Sequence, residues 1–146
     1  MNALEYPHRT LSDFSVGQSC QSQFTITPEE LSAFIVASGD SHPLHTNLNF
    51  ARQYGYRDVL LHGMCTAARS SKYITYEFVG CNGVLVSMAS DFRRPAFAND
   101  LLLWSAEIVR IDNNAQTVEI KWKVLLQSCE VIQRGTACAW ISKDAT

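Results

Sequence analysis

From Thr117 to Val124 the chain alternates: Val118, Ile120, Trp122 and Val124 fall on one face, and Thr117, Glu119, Lys121 and Lys123 on the other. Such alternation predicts an antiparallel strand with one face buried and one wetted. Other strand-like segments surround it. Val84 to Phe92 leads to Pro95 and Asn99-Asp100, and Leu101 to Ile111 ends at the turn signal Asp112-Asn113-Asn114. Val131 to Ile141 is the last strand, with Gly135 read as a bulge. The second half of the chain is therefore a meander of strands.

The first half reads differently. Cys20 to Ile26 predicts one short strand, and a helix follows it. Thr27 can cap that helix, Pro28 suits its first position and Glu30 stands where a capping box needs it. Leu31, Phe34 and Ile35 supply its apolar face, and Gly39 ends it. Leu48 to Tyr54 predicts a short helix stopped by Gly55. Gly63 to Phe78 has no interior Gly or Pro, and Met64, Ala67, Ala68, Ser71, Ile74 and Phe78 recur near helical spacing. Several of these are small, so a sheet can wrap closely around that helix. Helices first and strands after predict an α+β fold.

Length and composition bound the function. At 146 residues the chain suits one domain over 1–146 with a real core. A hydrophobic fraction of 47% and a charged fraction of 18% favour a folded globule. A net charge of −2 offers nothing to nucleic acid or an anionic membrane. Met1 to Asp13 is polar, unlike a secretory leader, and no stretch approaches the ~20 apolar residues of a spanning helix. Cys20, Cys65, Cys81, Cys129 and Cys138 are odd in number and irregular in spacing. They read as reduced, mostly buried thiols of a cytoplasmic protein.

The chemistry concentrates in Ser38-Gly-Asp-Ser-His-Pro-Leu-His45, where Gly39 and Pro43 predict a loop. Asp40 and His45 put a carboxylate and an imidazole five residues apart. Converging on one water, such groups make an acid/base pair able to add or remove it. The plainer readings are an Asx turn for Asp40 and a structural role for His45. Gly63 opens the long helix, where free N–H groups can stabilise a developing oxyanion; its plainer reading is tight packing. Asp40, His42, His45 and His62 also invite a metal reading, but a loop holding Pro43 does not present them on one helical face, and no metal or cofactor is expected. Cys65 lies near the same helix start, which can lower a thiol pKa and would allow a Cys–His nucleophile, though packed and inert is the commoner condition. Among the basic residues, Arg93 and Arg94 precede Pro95 at a strand end and are the best candidates to meet a phosphate.

Taken together, Gly39, Asp40, Pro43, Leu44, His45, Phe50, Ala51, His62 and Gly63 resemble the signature of the MaoC-like, R-specific enoyl-CoA hydratase family. Phe92-Arg93-Arg94-Pro95, Leu126-Gln127 and Gly135 fit it more weakly. One departure is His42, which stands where the family usually has asparagine. A neutral histidine can also donate and accept, so it can brace the loop as asparagine would. The resemblance implies a hot-dog fold, a curved antiparallel sheet wrapped around the Gly63–Phe78 helix, and subunits paired as a homodimer or higher homo-oligomer. It implies a cofactor-free hydratase/dehydratase with Asp40, His45 and Gly63 catalytic and His42, His62, Arg93 and Arg94 as candidate substrate contacts. The substrate would be an enoyl or (R)-3-hydroxyacyl thioester of coenzyme A or acyl carrier protein. A hot-dog thioesterase and a non-catalytic acyl-binding subunit are the rival readings.

Overall fold

In a computed structural model, which describes residues 7–143, the strand-rich half forms one antiparallel sheet. The strands are β1 (Ser19–Phe24), β2 (Gly83–Phe92), β3 (Leu102–Asp112), β4 (Thr117–Leu126) and β5 (Val131–Ile141), in the order β1-β3-β4-β5-β2. The alternation in β4 is realised in full: Val118, Ile120, Trp122 and Val124 are all buried. The turn before β4 forms as its residues predict, with Asp112 Oδ1 accepting from the Asn114 and Ala115 N–H groups.

Gly135 is not a bulge. Its register opposite Trp122 and Ser90 is unbroken, and the shifts fall at Leu85/Ser87, Ile108/Arg110 and Val124/Leu125. The reason for glycine is space. A Cβ there would lie 1.9 Å from the Ala89 carbonyl oxygen and 2.8 Å from the Trp122 ring.

Helix α1 (Pro28–Ser38) starts with both halves of its capping box, Glu30 N–H to Thr27 Oγ1 and Thr27 N–H to the Glu30 carboxylate. It ends at Gly39, whose left-handed φ of 73° few other residues adopt at low cost. The segment after Gly39 is not loop throughout. Pro43 opens a one-turn helix, α2 (Pro43–Thr46), because proline is well suited to a first helical position, where no N–H is needed. Helix α3 (Leu48–Gln53) is capped by Asn47, whose Oδ1 accepts from Phe50 N–H.

The long helix is α4 (Gly63–Lys72), continued by a π-helical segment, Tyr73–Val79. Ala67, Ile74 and Phe78 of its predicted apolar face are buried, but the rest of that face is shifted. Thr66, Ala67, Ser70, Tyr73, Ile74 and Phe78 are buried, whereas Met64 and Ala68 are exposed. Two polar side chains are tolerated inside because local acceptors satisfy them: Ser70 Oγ donates to the Thr66 carbonyl, and the Thr66 hydroxyl lies 2.7 Å from the Gly63 carbonyl. Tyr73 and Phe78 join Trp104, Ile120 and Ile141 in the core between helix and sheet.

The five cysteines are free thiols, but none is fully buried; Cys81 and Cys129 are exposed and the others half-buried. Among the described residues no helix is long and apolar enough to cross a membrane. The polar start read over Met1 to Asp13 lies outside the described residues as far as residue 6.

Candidate active site

Two segments far apart in sequence build the site. The first is the turn from Gly39 into α2. Ser38 Oγ accepts from Asp40 N–H, and Asp40 Oδ1 accepts from His42 N–H at 3.1 Å, so the carboxylate is held by its own turn. The His42 ring caps α2, its Nδ1 accepting from Leu44 N–H at 3.2 Å, and it packs edge-on to Phe50. The second segment is Leu60-Leu61-His62-Gly63. Leu60 N–H donates to the Leu44 carbonyl, and Leu61 N–H to that of Ala96. These bonds carry the start of α4 up against α2.

The meeting point is compact. Ligand atoms of Asp40, His45 and His62 all lie within 4.8 Å of one another. His45 Nδ1 is 2.8 Å from the Leu60 carbonyl oxygen, which can only accept, so Nδ1 carries a proton and in the neutral ring Nε2 keeps its lone pair. His62 Nε2 is 2.5 Å from Asp40 Oδ2. The His45 and His62 rings stack with centroids 4.7 Å apart. The His62 bond, and after it the His42 N–H, holds the Asp40 carboxyl below the usual aspartate range.

A cavity of about 370 Å³ opens beside these groups. His45, His62, Gly63, Phe92, Arg93 and Arg94 are among its walls, with Gln133 and Thr66. Among the described residues no acceptor takes the Gly63 N–H, as the first position of a helix requires. Asp40 meets this wall through His62, whereas His42 stands outside the lining. Arg93 and Arg94 make only long, exposed ion pairs, at 3.8 Å to Asp91 and 3.5 Å to Glu130. Arg57 and Arg69 are tied at 2.5 Å to Asp100 and Glu30 and are less available.

Asp40, His45 and His62 are also the groups a divalent cation would use. However, His62 Nδ1 accepts from Met64 N–H, which puts the ring proton on Nε2, the atom facing Asp40. A cation would have to displace that proton, so the donor set fits a hydrogen-bonded site better than a metal centre. Cys65 is no activated nucleophile: burial raises its thiol pKa despite the helix start.

Gln133 escaped the sequence reading. It is 1% exposed, its Oε1 lies 2.5 Å from the Thr66 hydroxyl, and its Nε2 donates to Ser90 Oγ and to the Gly63 carbonyl. A signal was present, since Gln133 is in phase with the inward residues Ala137, Ala139 and Ile141. Phe92 and Met64 also wall the cavity; the sequence placed Phe92 in the Phe92–Pro95 segment and Met64 on the helix stripe, without a role at the site for either.

Comparison with known proteins agrees with this architecture. The chain is 26% identical over 107 residues to the mitochondrial 3-hydroxyacyl-(acyl-carrier-protein) dehydratase of Arabidopsis thaliana, covering 73% of this chain and 63% of that protein's length. It is 22% identical over 122 residues to the (R)-specific enoyl-CoA hydratase of Aeromonas caviae, covering 84% and 91%. The solved (R)-hydratase from A. caviae superposes with a TM-score of 0.83 at 21% identity, over 88% of this chain and 98% of that one. R-hydratase PhaJ1 from Pseudomonas aeruginosa gives 0.85 at 22%, over 92% and 86%. The family model described as "MaoC like domain" matches residues 13–128. The chain therefore belongs to the MaoC-like domain family, and its curved sheet around a central helix is the hot-dog fold.

Proposed function

We propose that this protein is a hydro-lyase that interconverts a trans-2-enoyl thioester and an (R)-3-hydroxyacyl thioester. Membership of a family whose named relatives include hydratases and dehydratases supports the reaction class. The observation that carries the assignment is the closeness of three chemically distinct groups: His45 and Gly63 line the cavity, and Asp40 lies just behind its wall, bonded to His62 and near His45. These are an ionised carboxylate on Asp40, the Nε2 of His45, which keeps its lone pair in the neutral ring, and an unclaimed N–H on Gly63.

In the hydration direction, a water donates one hydrogen to Asp40 and the other to His45 Nε2. Its oxygen attacks the β-carbon as His45 takes the proton. The electron pair of the double bond moves toward the thioester, and the oxygen accepts the Gly63 N–H as negative charge develops. The His45 imidazolium then delivers its proton to the α-carbon on the same face, so water is added and the base is regenerated. Dehydration is the same path reversed. No step needs a metal or an organic cofactor.

Coenzyme A and acyl carrier protein remain the two carriers in play, and Arg93 and Arg94 are the proposed contacts for phosphate. We propose a single domain over 1–146, acting in the cytoplasm as a homodimer or higher homo-oligomer. Support for self-association comes from β2, an edge strand paired with β5 alone among the described residues, with Val84, Val86 and Phe92 exposed along it.

Incubation with crotonyl-CoA tests the function. Loss of the enoyl absorbance without thiol release is the expected result. Thiol release would identify a thioesterase, and binding without turnover an acyl-binding subunit.

A further inference from the structure

We infer that His62 is a positioning residue that holds Asp40 as an ionised hydrogen-bond acceptor, through a ring orientation imposed by the start of α4, and that neither of its ring nitrogens is free to hydrogen-bond substrate. The catalytic consequence rests on the hydration site proposed above; the pairing itself does not.

Both ring nitrogens of His62 are already used. As N-cap of α4, its Nδ1 accepts from Met64 N–H at 3.2 Å, so that nitrogen carries no proton. A neutral imidazole has one N–H, which must then sit on Nε2. Nε2 faces Asp40 Oδ2 at 2.5 Å and donates to it. Neither nitrogen remains to hydrogen-bond a substrate.

The peptide that sets this tautomer is pinned from its other end. Its N–H is that of Met64 and its carbonyl is that of Gly63. That carbonyl lies 2.7 Å from the Thr66 hydroxyl and 3.3 Å from Gln133 Nε2. Gln133 belongs to β5 and also holds Ser90 of β2. The buried sheet thus orients the Gly63–Met64 peptide, the peptide orients His62, and His62 orients Asp40. The ring cannot swing away. Phe34 packs on it with centroids 5.0 Å apart, His45 stacks at 4.7 Å, and only 12% of the side chain is exposed.

Fixing Asp40 in this way separates the roles of the acid/base pair. The groups facing Asp40 are the His62 N–H and the His42 N–H, with His45 adding to the positive influence when charged. All favour the carboxylate over the acid. Asp40 therefore orients water and stays ionised, and His45 alone carries the proton.

Two measurements on the wild-type protein test the pairing without any variant. Ring nitrogen NMR near neutral pH should find the proton of His62 on Nε2 and that of His45 on Nδ1. The Asp40 carboxyl carbon should titrate below the usual aspartate range. In His62→Ala that titration should move up, and in His62→Gln, whose amide can donate, it should move back toward wild type. In turnover, His62→Ala should lower kcat on the order of 10- to 100-fold with little change in KM. His62→Gln should recover much of the loss. The inference is overturned if the His62 proton sits on Nδ1, if Asp40 titrates alike in wild type and His62→Ala, or if KM rises with kcat unchanged. Correct tautomers and titration in a protein that hydrates no enoyl thioester would uphold the pairing and reject the hydratase assignment instead.

Discussion

The ring of Phe92 occupies the space in which a side chain at position 63 would stand. A Cβ on Gly63 would lie 2.5 Å from Phe92 Cε1 and 2.6 Å from Cδ1. The ring is 55% exposed and can be pushed aside, so the fold does not depend on this contact. What a methyl group would spoil is the approach of a substrate oxygen to the Gly63 N–H. Gly63→Ala is expected to fold with stability within about 1 kcal/mol of wild type, since alanine suits a helix. It should lose on the order of 10²-fold in kcat, the scale of a lost oxyanion donor. Adding Phe92→Ala relieves the clash, so the double variant should stay slow; full rescue would mean that crowding, and not the N–H, matters.

Asp40→Asn and His45→Ala should each lower turnover by roughly 10²-fold or more while the fold is kept. Circular dichroism and thermal unfolding check the fold, and enoyl absorbance checks the rate. Near-wild-type hydration by either folded variant would remove that residue from the mechanism.

Gln133→Leu should destabilise the protein by about 1–3 kcal/mol, because Thr66, Ser90 and the Gly63 carbonyl lose a buried partner. Urea unfolding measures this directly. Since the same side chain steadies the start of α4, activity in the folded variant should fall as well.

Glu30 gives a stability prediction with a definite sign. The Thr27 N–H, and then the Arg69 guanidinium, hold its pKa below the ordinary glutamate value of 4.5. A group whose folded pKa is depressed contributes stability above its unfolded pKa, and that contribution is lost as pH falls through the folded one. Stability should therefore drop on acidification below 4.5. Glu30→Gln should be less stable than wild type at neutral pH, and the gap should narrow in acid. A constant gap across pH would show that the carboxylate charge does not matter.

His42→Asn should retain most activity and stability. The ring caps α2 by accepting from Leu44 N–H, and asparagine is a strong cap that can accept in its place. Prolonged treatment with a chelator should leave the wild-type rate unchanged, and elemental analysis should find no stoichiometric zinc or iron. Chelator sensitivity together with bound metal would overturn the cofactor-free mechanism.

The sequence by itself determined whatever depends on neighbours along the chain. The capping box of α1 needs only Thr27 and Glu30. The inward face of β4 needs only a period of two, and Val118, Ile120, Trp122 and Val124 followed it. The Asp40–His45 spacing was legible because one turn delivers both residues to the site. Tertiary structure decided what depends on elements meeting. His62 reaches Asp40 across 22 positions because Leu60 and Leu61 are bonded to α2 and to Ala96. Helix periodicity named an apolar stripe on α4, yet the sheet buried Thr66 and Ser70 and left Met64 out, since close approach favoured small side chains with local acceptors. Gly135 is glycine because of a Trp122 ring and an Ala89 carbonyl on other strands, and no local pattern carries that information. Backbone preference and hydrophobic period are properties of a segment; the placement of a proton on one nitrogen of His62 belongs to the packed molecule.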